Sequence, residues 1–267
     1  MEHIRLDRDE RGGVTVVVDG TPQSHVQLDD PLLLVFEYVE HFALVLDTLP
    51  QGPLAVTHIG GGGMTLARWV QATRPGSPQI VLEPDVAVTE LVRKELPLPR
   101  GSRIRVRPVD GATGMRQLRP SSADVVVLDA YAAGRVPAEL TTTAHFRELR
   151  RVLRPDGVAL LNIADEAGRR FIGRVLASLR AVGFPQLVVV ATVEVLRGRR
   201  FGNYVIAATA GSLDIEAIRR AVAGMPLPTG VRYGVEVDRV ISGARPLTED
   251  DASMSPEPPE PGVWNRR

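Results

Sequence analysis

The spacing of apolar and polar positions changes rhythm at Pro50. Before it, Gly13-Val-Thr-Val-Val-Val-Asp19 reads as a strand, Gly20-Thr-Pro-Gln23 as a turn, and Ser24 to Leu28 as the returning partner of a hairpin. Asp29-Asp30-Pro31 has the form of a helix start, an acidic cap with proline at the first helical position, and predicts a helix from about Leu32 to Leu49. Pro50-Gln-Gly-Pro53 stops it.

From Leu54 short apolar runs alternate with helical segments, the pattern of a parallel sheet covered on both faces. The predicted strands are Leu54–Ile59, Gln79–Glu83, Arg103–Pro108, Ala123–Asp129 and Gly157–Ile163. Helices are predicted near Thr65–Thr73, Asp85–Leu96, Ala112–Leu118, Thr142–Leu153 and Glu166–Val182. Leu187–Ala191 and Asn203–Ala208, joined through Arg197-Gly-Arg-Arg-Phe-Gly202, read as a closing antiparallel pair. The expectation is an α/β fold with a seven-stranded, mostly parallel sheet, its last strand antiparallel, behind a small N-terminal β-hairpin region. One more helix is expected over Ser212–Ala223, and Pro246 to Arg267, with its Pro-Glu-Pro-Pro-Glu-Pro run, reads as a disordered tail. The corresponding boundaries are 1–50 for the hairpin and first helix, 51–225 for the main domain and 226–267 for a C-terminal extension.

Composition narrows the function. The chain has 267 residues with 32 Lys+Arg against 32 Asp+Glu, so it lacks the basic excess that nucleic-acid binding calls for. It has no cysteine, which removes disulfides, thiolate nucleophiles and zinc–thiolate sites. His3, His25, His41, His58 and His145 are scattered without metal-ligand spacing, so no metal is expected. Lys94 is the only lysine, and any mechanism that needs one must use it. The charged stretch Met1–Arg11 and the absence of a long apolar run lead to the expectation of a cytoplasmic protein with no membrane partner.

Candidate chemistry lies where predicted strands end. His58-Ile-Gly60-Gly61-Gly62-Gly63 follows the first main-domain strand and opens a helix, and Glu83 ends the next strand about 20 residues later. Glycines there bring backbone amides close to a ligand, and an acid at that distance holds a ribose hydroxyl pair, so the two together point to a nucleoside. A tight turn with a capping acid is the plain alternative. The loop lacks the Gly-Lys-Ser/Thr ending of a phosphate-binding loop, which argues against triphosphate hydrolysis. Asp110-Gly111 closes the third strand, as a further ligand contact or as a simple turn. Asp129 ends the fourth, followed by Tyr131, and it reads equally as a base or a loop cap.

Taken together, Ile59-Gly-Gly-Gly62, Leu82-Glu83-Pro-Asp85, Val109-Asp110-Gly111, Val126-Val-Leu-Asp129, Leu140-Thr-Thr-Thr-Ala-His-Phe146 and Leu153-Arg-Pro-Asp-Gly157 resemble the spermidine synthase (polyamine aminopropyltransferase) family over roughly residues 14 to 210. Val18-Asp-Gly20 and Gln23 look like its hairpin, and Glu37 with His41 fits its Tyr-x-Glu-x-x-x-His helix. The resemblance implies a Rossmann-like class I methyltransferase core, usually in a homodimer. It implies transfer of the aminopropyl group of decarboxylated S-adenosylmethionine to a diamine, with no prosthetic group. Gly60, Gly61 and Gly62 would then flank the thioether nucleoside, Gln23 its sulfur, Glu83 the ribose, and Asp110 and Gly111 the adenine. Asp129 would be the base on the attacking amine, with Tyr131 beside it.

Three positions depart from the family pattern. The second Asp of its Asp-x-x-Asp motif is Ala132, the Asp of Gly-Gly-Gly-Asp is Gly63, and the helix tyrosine falls on Val35, beside Phe36. Burying a dication without paired carboxylates is costly, so the pocket is expected to be less acidic than a polyamine site requires. Two alternatives follow: a methyltransferase using intact S-adenosylmethionine on an unknown acceptor, and a non-catalytic nucleoside-binding protein.

Overall fold

A computed structural model of the chain describes residues 3–259. A small antiparallel sheet comes first, ordered β1 (Ile4–Arg8), β2 (Val14–Val18), β3 (Thr21–Val26). Asp19 and Gly20 join β2 to β3 with φ of 48° and 79°, a two-residue turn whose twist suits a hairpin. Pairing therefore resumes at Thr21 rather than Ser24. Ile4 and Leu6, alternating with charges on β1, pack inward and add a strand that the charged start conceals. Val16 pairs with Ser24 and Val17 with Pro22, which leaves Gln23 as the extra residue of a β-bulge.

There follow α1 (Glu37–Asp47), β4 (Val56–Ile59), α2 (Thr65–Thr73), β5 (Gln79–Leu82), α3 (Val86–Glu95), β6 (Ile104–Arg107), α4 (Gly111–Gln117), β7 (Ala123–Leu128), α5 (Thr143–Val152) and β8 (Leu153–Asp165). The chain continues through α6 (Arg170–Ala181), β9 (Gln186–Thr192), α7 (Val193–Leu196), β10 (Gly202–Thr209), α8 (Ile215–Ala223), β11 (Thr229–Tyr233) and α9 (Val235–Ile241). Helix α1 begins at Glu37, later than predicted, because Asp30 first closes a turn. Its side chain accepts from the Leu32 N–H and its carbonyl from the Leu33 N–H, each at 3.1 Å.

The main sheet is ordered β11-β9-β10-β8-β7-β4-β5-β6. Strands β4 to β8 pair in parallel, β10 inserts antiparallel between β8 and β9, and β11 adds an antiparallel edge. The predicted antiparallel closing pair is present, but the sheet has eight strands rather than seven, and β11 rather than β10 is the last. Alternate residues of the central strands feed two cores. Ile59, Leu128 and Leu161 pack with Phe146, Leu176 and Val237 on one face. Val127, Leu160 and Val205 pack with Phe42, Trp69 and Ile218 on the other. The small sheet lays Val14, Val16 and Val26 against Met64, Val88 and Val92, so it caps the loop between β4 and α2.

The expectation of a disordered tail from Pro246 is corrected. Leu247 is fully buried, its N–H donating to Ser178 Oγ at 2.7 Å and its carbonyl accepting from Thr143 N at 2.8 Å. Ser255 is buried too, where its Oγ accepts from Val136 N and its carbonyl from Arg135 Nε. A segment whose backbone groups find partners on the body is ordered despite its prolines. Residues 260–267 of the expected tail lie outside the described residues. Among the described residues, no helix is long and apolar enough to cross a membrane.

Candidate active site

Ile59 pairs with Leu82 on one side and with Leu128 on the other, so Gly60, Glu83 and Asp129 leave the sheet side by side. Ligands of open α/β sheets bind at this carboxyl edge. A cleft of about 460 Å³ opens there, roofed by the small sheet, and Gln23, Gly60, Gly61, Gly62, Glu83, Asp110, Gly111, Asp129 and Tyr131 all line it. The structure thus brings every predicted site residue together. Gln23 reaches the cleft from its bulge, a typical use of an extra strand residue to re-aim a side chain.

The glycines answer to close packing. Gly60 has φ of 97°, and a Cβ there would lie 2.1 Å from the Asp129 carbonyl oxygen. Glu83 braces the loop, its Oε2 accepting from Gly61 N at 2.8 Å and Gly62 N at 3.3 Å, and its Oε1 from Asp85 N at 3.0 Å. Each carboxylate oxygen keeps lone-pair capacity for a further donor such as a ribose hydroxyl. Asp110 caps α4 by accepting from Thr113 N at 2.8 Å, and that bond holds its carboxyl below the usual range. The turn and the cleft-lining position are therefore both true of Asp110.

Asp129 is the electrostatic centre. Desolvation raises its carboxyl to about 6, opposed by hydrogen bonds from Asn162 and Tyr38 that favour the charged form. Asn162 Nδ2 donates to Asp129 Oδ1 at 2.9 Å, and Asn203 Nδ2 donates to Asn162 Oδ1 at 2.8 Å. Tyr131 donates its hydroxyl to the Asn162 carbonyl at 3.2 Å. Asn162 on β8 and Asn203 on β10 thus fix one carboxylate oxygen from behind. A carboxyl near 6 in a recessed cleft can take a proton at neutral pH. Burial, then the negative Asp129, pushes both Tyr38 and Tyr131 well above the ordinary phenol value, so both stay protonated as donors.

Tyr38, Asn162 and Asn203 were missed by the sequence reading. Where the family's helix tyrosine falls on Val35, Tyr38 three residues later lines the cleft and hydrogen-bonds Asp129. A polar Asn in the apolar run Leu160-Leu-Asn-Ile-Ala164 was the available signal for Asn162. His41 lies away from the cleft, buried with Nε2 at 3.4 Å from Thr229 Oγ1, and desolvation lowers it to about 4. Gly63 donates its N–H to Ser24 Oγ at 2.6 Å, and a Cβ there would lie 2.7 Å from Val26 Cγ2. The roof fills the space of the missing carboxylate. Three further acids line the cleft, Asp19, Asp85 and Glu139, but His3 bridges Asp19 and Asp85, at 2.8 and 3.0 Å.

A sheet of this order, with a glycine loop and acids at adjacent strand ends, defines a methyltransferase-like fold. It is shared with human methyltransferase-like protein 13 in complex with SAH (TM-score 0.57, 20% identity, 80% of this chain and 96% of that one). More specifically, the chain superimposes on a probable spermidine synthase from Corynebacterium glutamicum with TM-score 0.84 at 29% identity, covering 92% of each. It is also 31% identical over 163 residues to the polyamine aminopropyltransferase of Neisseria meningitidis serogroup A, 59% of this chain and 60% of that protein. The chain thus spans about 60% of the length of the curated relatives it matches. No family model matches it. These comparisons make the chain similar to polyamine aminopropyltransferases over about 60% of their length, with the architecture of a probable spermidine synthase.

Proposed function

We propose that the chain is an aminopropyltransferase that binds decarboxylated S-adenosylmethionine and transfers its aminopropyl group to an amine. The observation that carries this is the Asp129 carboxylate, held by Asn162 and Tyr38 and opening on the same cleft as Glu83 and the Gly60–Gly62 loop. The glycine loop and Glu83 seat the nucleoside, Asp110 and Gly111 border its base, and Gln23 approaches the sulfur. A neutral amine attacks the carbon beside the sulfonium, the carbon–sulfur bond breaks with its electron pair going to sulfur, and methylthioadenosine leaves. Asp129, ionised above about pH 6, takes the proton of the new ammonium. The sulfonium activates its own carbon, so alignment and exclusion of water supply the remaining acceleration. In this reading the protein works as a cytoplasmic homodimer in polyamine biosynthesis, with small molecules and neither membrane nor nucleic acid as partners.

One observation favours a second reading, methyl transfer from intact S-adenosylmethionine: position 63 carries no carboxylate, and Ser24 and Val26 occupy its space. Calorimetry with decarboxylated S-adenosylmethionine, S-adenosylmethionine and methylthioadenosine separates the two, combined with mass spectrometry of products from putrescine. Aminopropyl transfer predicts that the decarboxylated donor binds tightest and spermidine forms. Preference for the intact donor with no product from any diamine overturns it, and binding of none of the three leaves the non-catalytic alternative.

A further inference from the structure

A second cavity, of about 440 Å³, shares no lining residue with the cleft. It lies where the loop after β8 meets β11 and α9, and Gly168, Arg169, Arg232, Glu236, Arg239 and Val240 line it. Three guanidinium groups from three separate elements face one acid. Glu236 and Arg239 stand three apart on α9, a spacing at which an ion pair commonly closes, as it does between Arg219 and Glu216 on α8. Among the described residues, neither Arg232 nor Arg239 makes an ion pair, whereas Arg180 on the same side of the molecule is paired with Asp238 of α9.

Arg169 is held for the position. Its backbone sits in the left-handed region at φ of 56°, a conformation costly for a residue with a Cβ, and its Nη1 donates to the Leu196 carbonyl at 3.0 Å. Gly198 packs against it so closely that a Cβ there would lie 3.2 Å from Arg169 Nε and 2.6 Å from the Ala167 carbonyl oxygen. The guanidinium is thus anchored at one nitrogen and fixed in direction before any ligand arrives, which reduces the ordering cost of binding. Arginine presents a rigid fork of donors matched to phosphoryl oxygens.

We propose that this cavity binds a multiply charged phosphoryl anion, with Arg169, Arg232 and Arg239 as its ligands. Three guanidinium groups offer more paired donors than a single orthophosphate can accept in bidentate forks, so a diphosphate group is the better match, free or carried by a nucleotide. The edge strand β11, which the sheet adds beyond the parallel core, supplies Arg232 and leads directly into α9, so the site belongs to the C-terminal part of the fold.

Calorimetry of the full chain with inorganic phosphate, pyrophosphate and ADP, beside the Arg232→Gln/Arg239→Gln double variant, tests the proposal. Arg93→Gln, an exposed change of charge on α3, serves as the control. Pyrophosphate should bind more tightly than phosphate, and the double variant should lose about tenfold or more in affinity, the scale of a lost charge-assisted fork. Arg93→Gln should stay within twofold of the parent, and circular dichroism should show both variants folded. Matched loss of ADP and pyrophosphate affinity assigns the diphosphate alone, while a larger loss for ADP adds the nucleoside. No binding of pyrophosphate at about 1 mM, or equal loss in the double variant and Arg93→Gln, overturns the proposal.

Discussion

Replacing Asp129 by asparagine separates the burden that this carboxylate places on the fold from its use in the cleft. Desolvation holds the Asp129 carboxyl at about 6 against 3.8 in an unfolded chain, which withholds about 3 kcal/mol from the folded state once both states are ionised. In the parent this group adds stability below pH 3.8, and the contribution is lost as pH rises through about 6. An amide keeps the shape and can still accept from Asn162 Nδ2, yet it has no charge to desolvate. Asp129→Asn should therefore equal the parent near pH 3.5 and exceed it at pH 8, by up to about 6 °C in Tm for a chain of this size. Over the same range transfer activity should fall by about 10²–10⁴-fold, the range for loss of a general base. Differential scanning calorimetry at several pH values, with product formation measured in parallel, gives both readouts. A Tm difference that does not change between pH 3.5 and 8, or a parent more stable at pH 8, would refute the reasoning.

Other substitutions probe the remaining parts of the site. Tyr38→Phe removes a hydrogen bond that favours the ionised carboxylate, so the acid limb of the pH–rate profile should move above about 6. Glu83→Ala should weaken methylthioadenosine binding by about 1–3 kcal/mol in calorimetry, the loss of a charged partner for ribose hydroxyls, and it also frees the Gly61 and Gly62 amides that the carboxylate holds. Gly63→Asp should not tighten the decarboxylated donor, because its Cβ meets Val26 Cγ2 at 2.7 Å and Ser24 Oγ at 2.8 Å. It should instead cost about 1–3 kcal/mol in urea unfolding, as overpacking does.

The pocket's acidity illustrates how far residue types can be read without positions. Gly63 and Ala132 stand where the family resemblance implies acids, but Glu139, outside the Asp-x-x-Asp and Gly-Gly-Gly-Asp motifs, lines the same cleft. Asp19, which also lines it, is tied up by His3. A count of motif carboxylates could register neither.

The chain by itself determined the alternation of strands and helices, the glycine loop, and the acids at the ends of the second, third and fourth strands of the main sheet. These are local consequences of backbone sterics, period and strand length, and parallel pairing from Ile59 to Leu82 and Leu128 carries them to one edge. Tertiary structure decided the rest. Tyr38 reaches Asp129 from α1, and Asn203 steadies Asn162 from β10, contacts between residues distant in sequence that no local pattern encodes. The start of α1 moved because an Asp30 turn competed with helix, and the proline-rich segment from Pro246 became ordered because Ser178, Thr143 and Val136 satisfy its backbone and Ser255. Arg169, Arg232 and Arg239 line one cavity only because β11 pairs with β9 and places α9 beside the loop after β8. Local propensity names the elements, and long-range pairing decides which side chains share a surface.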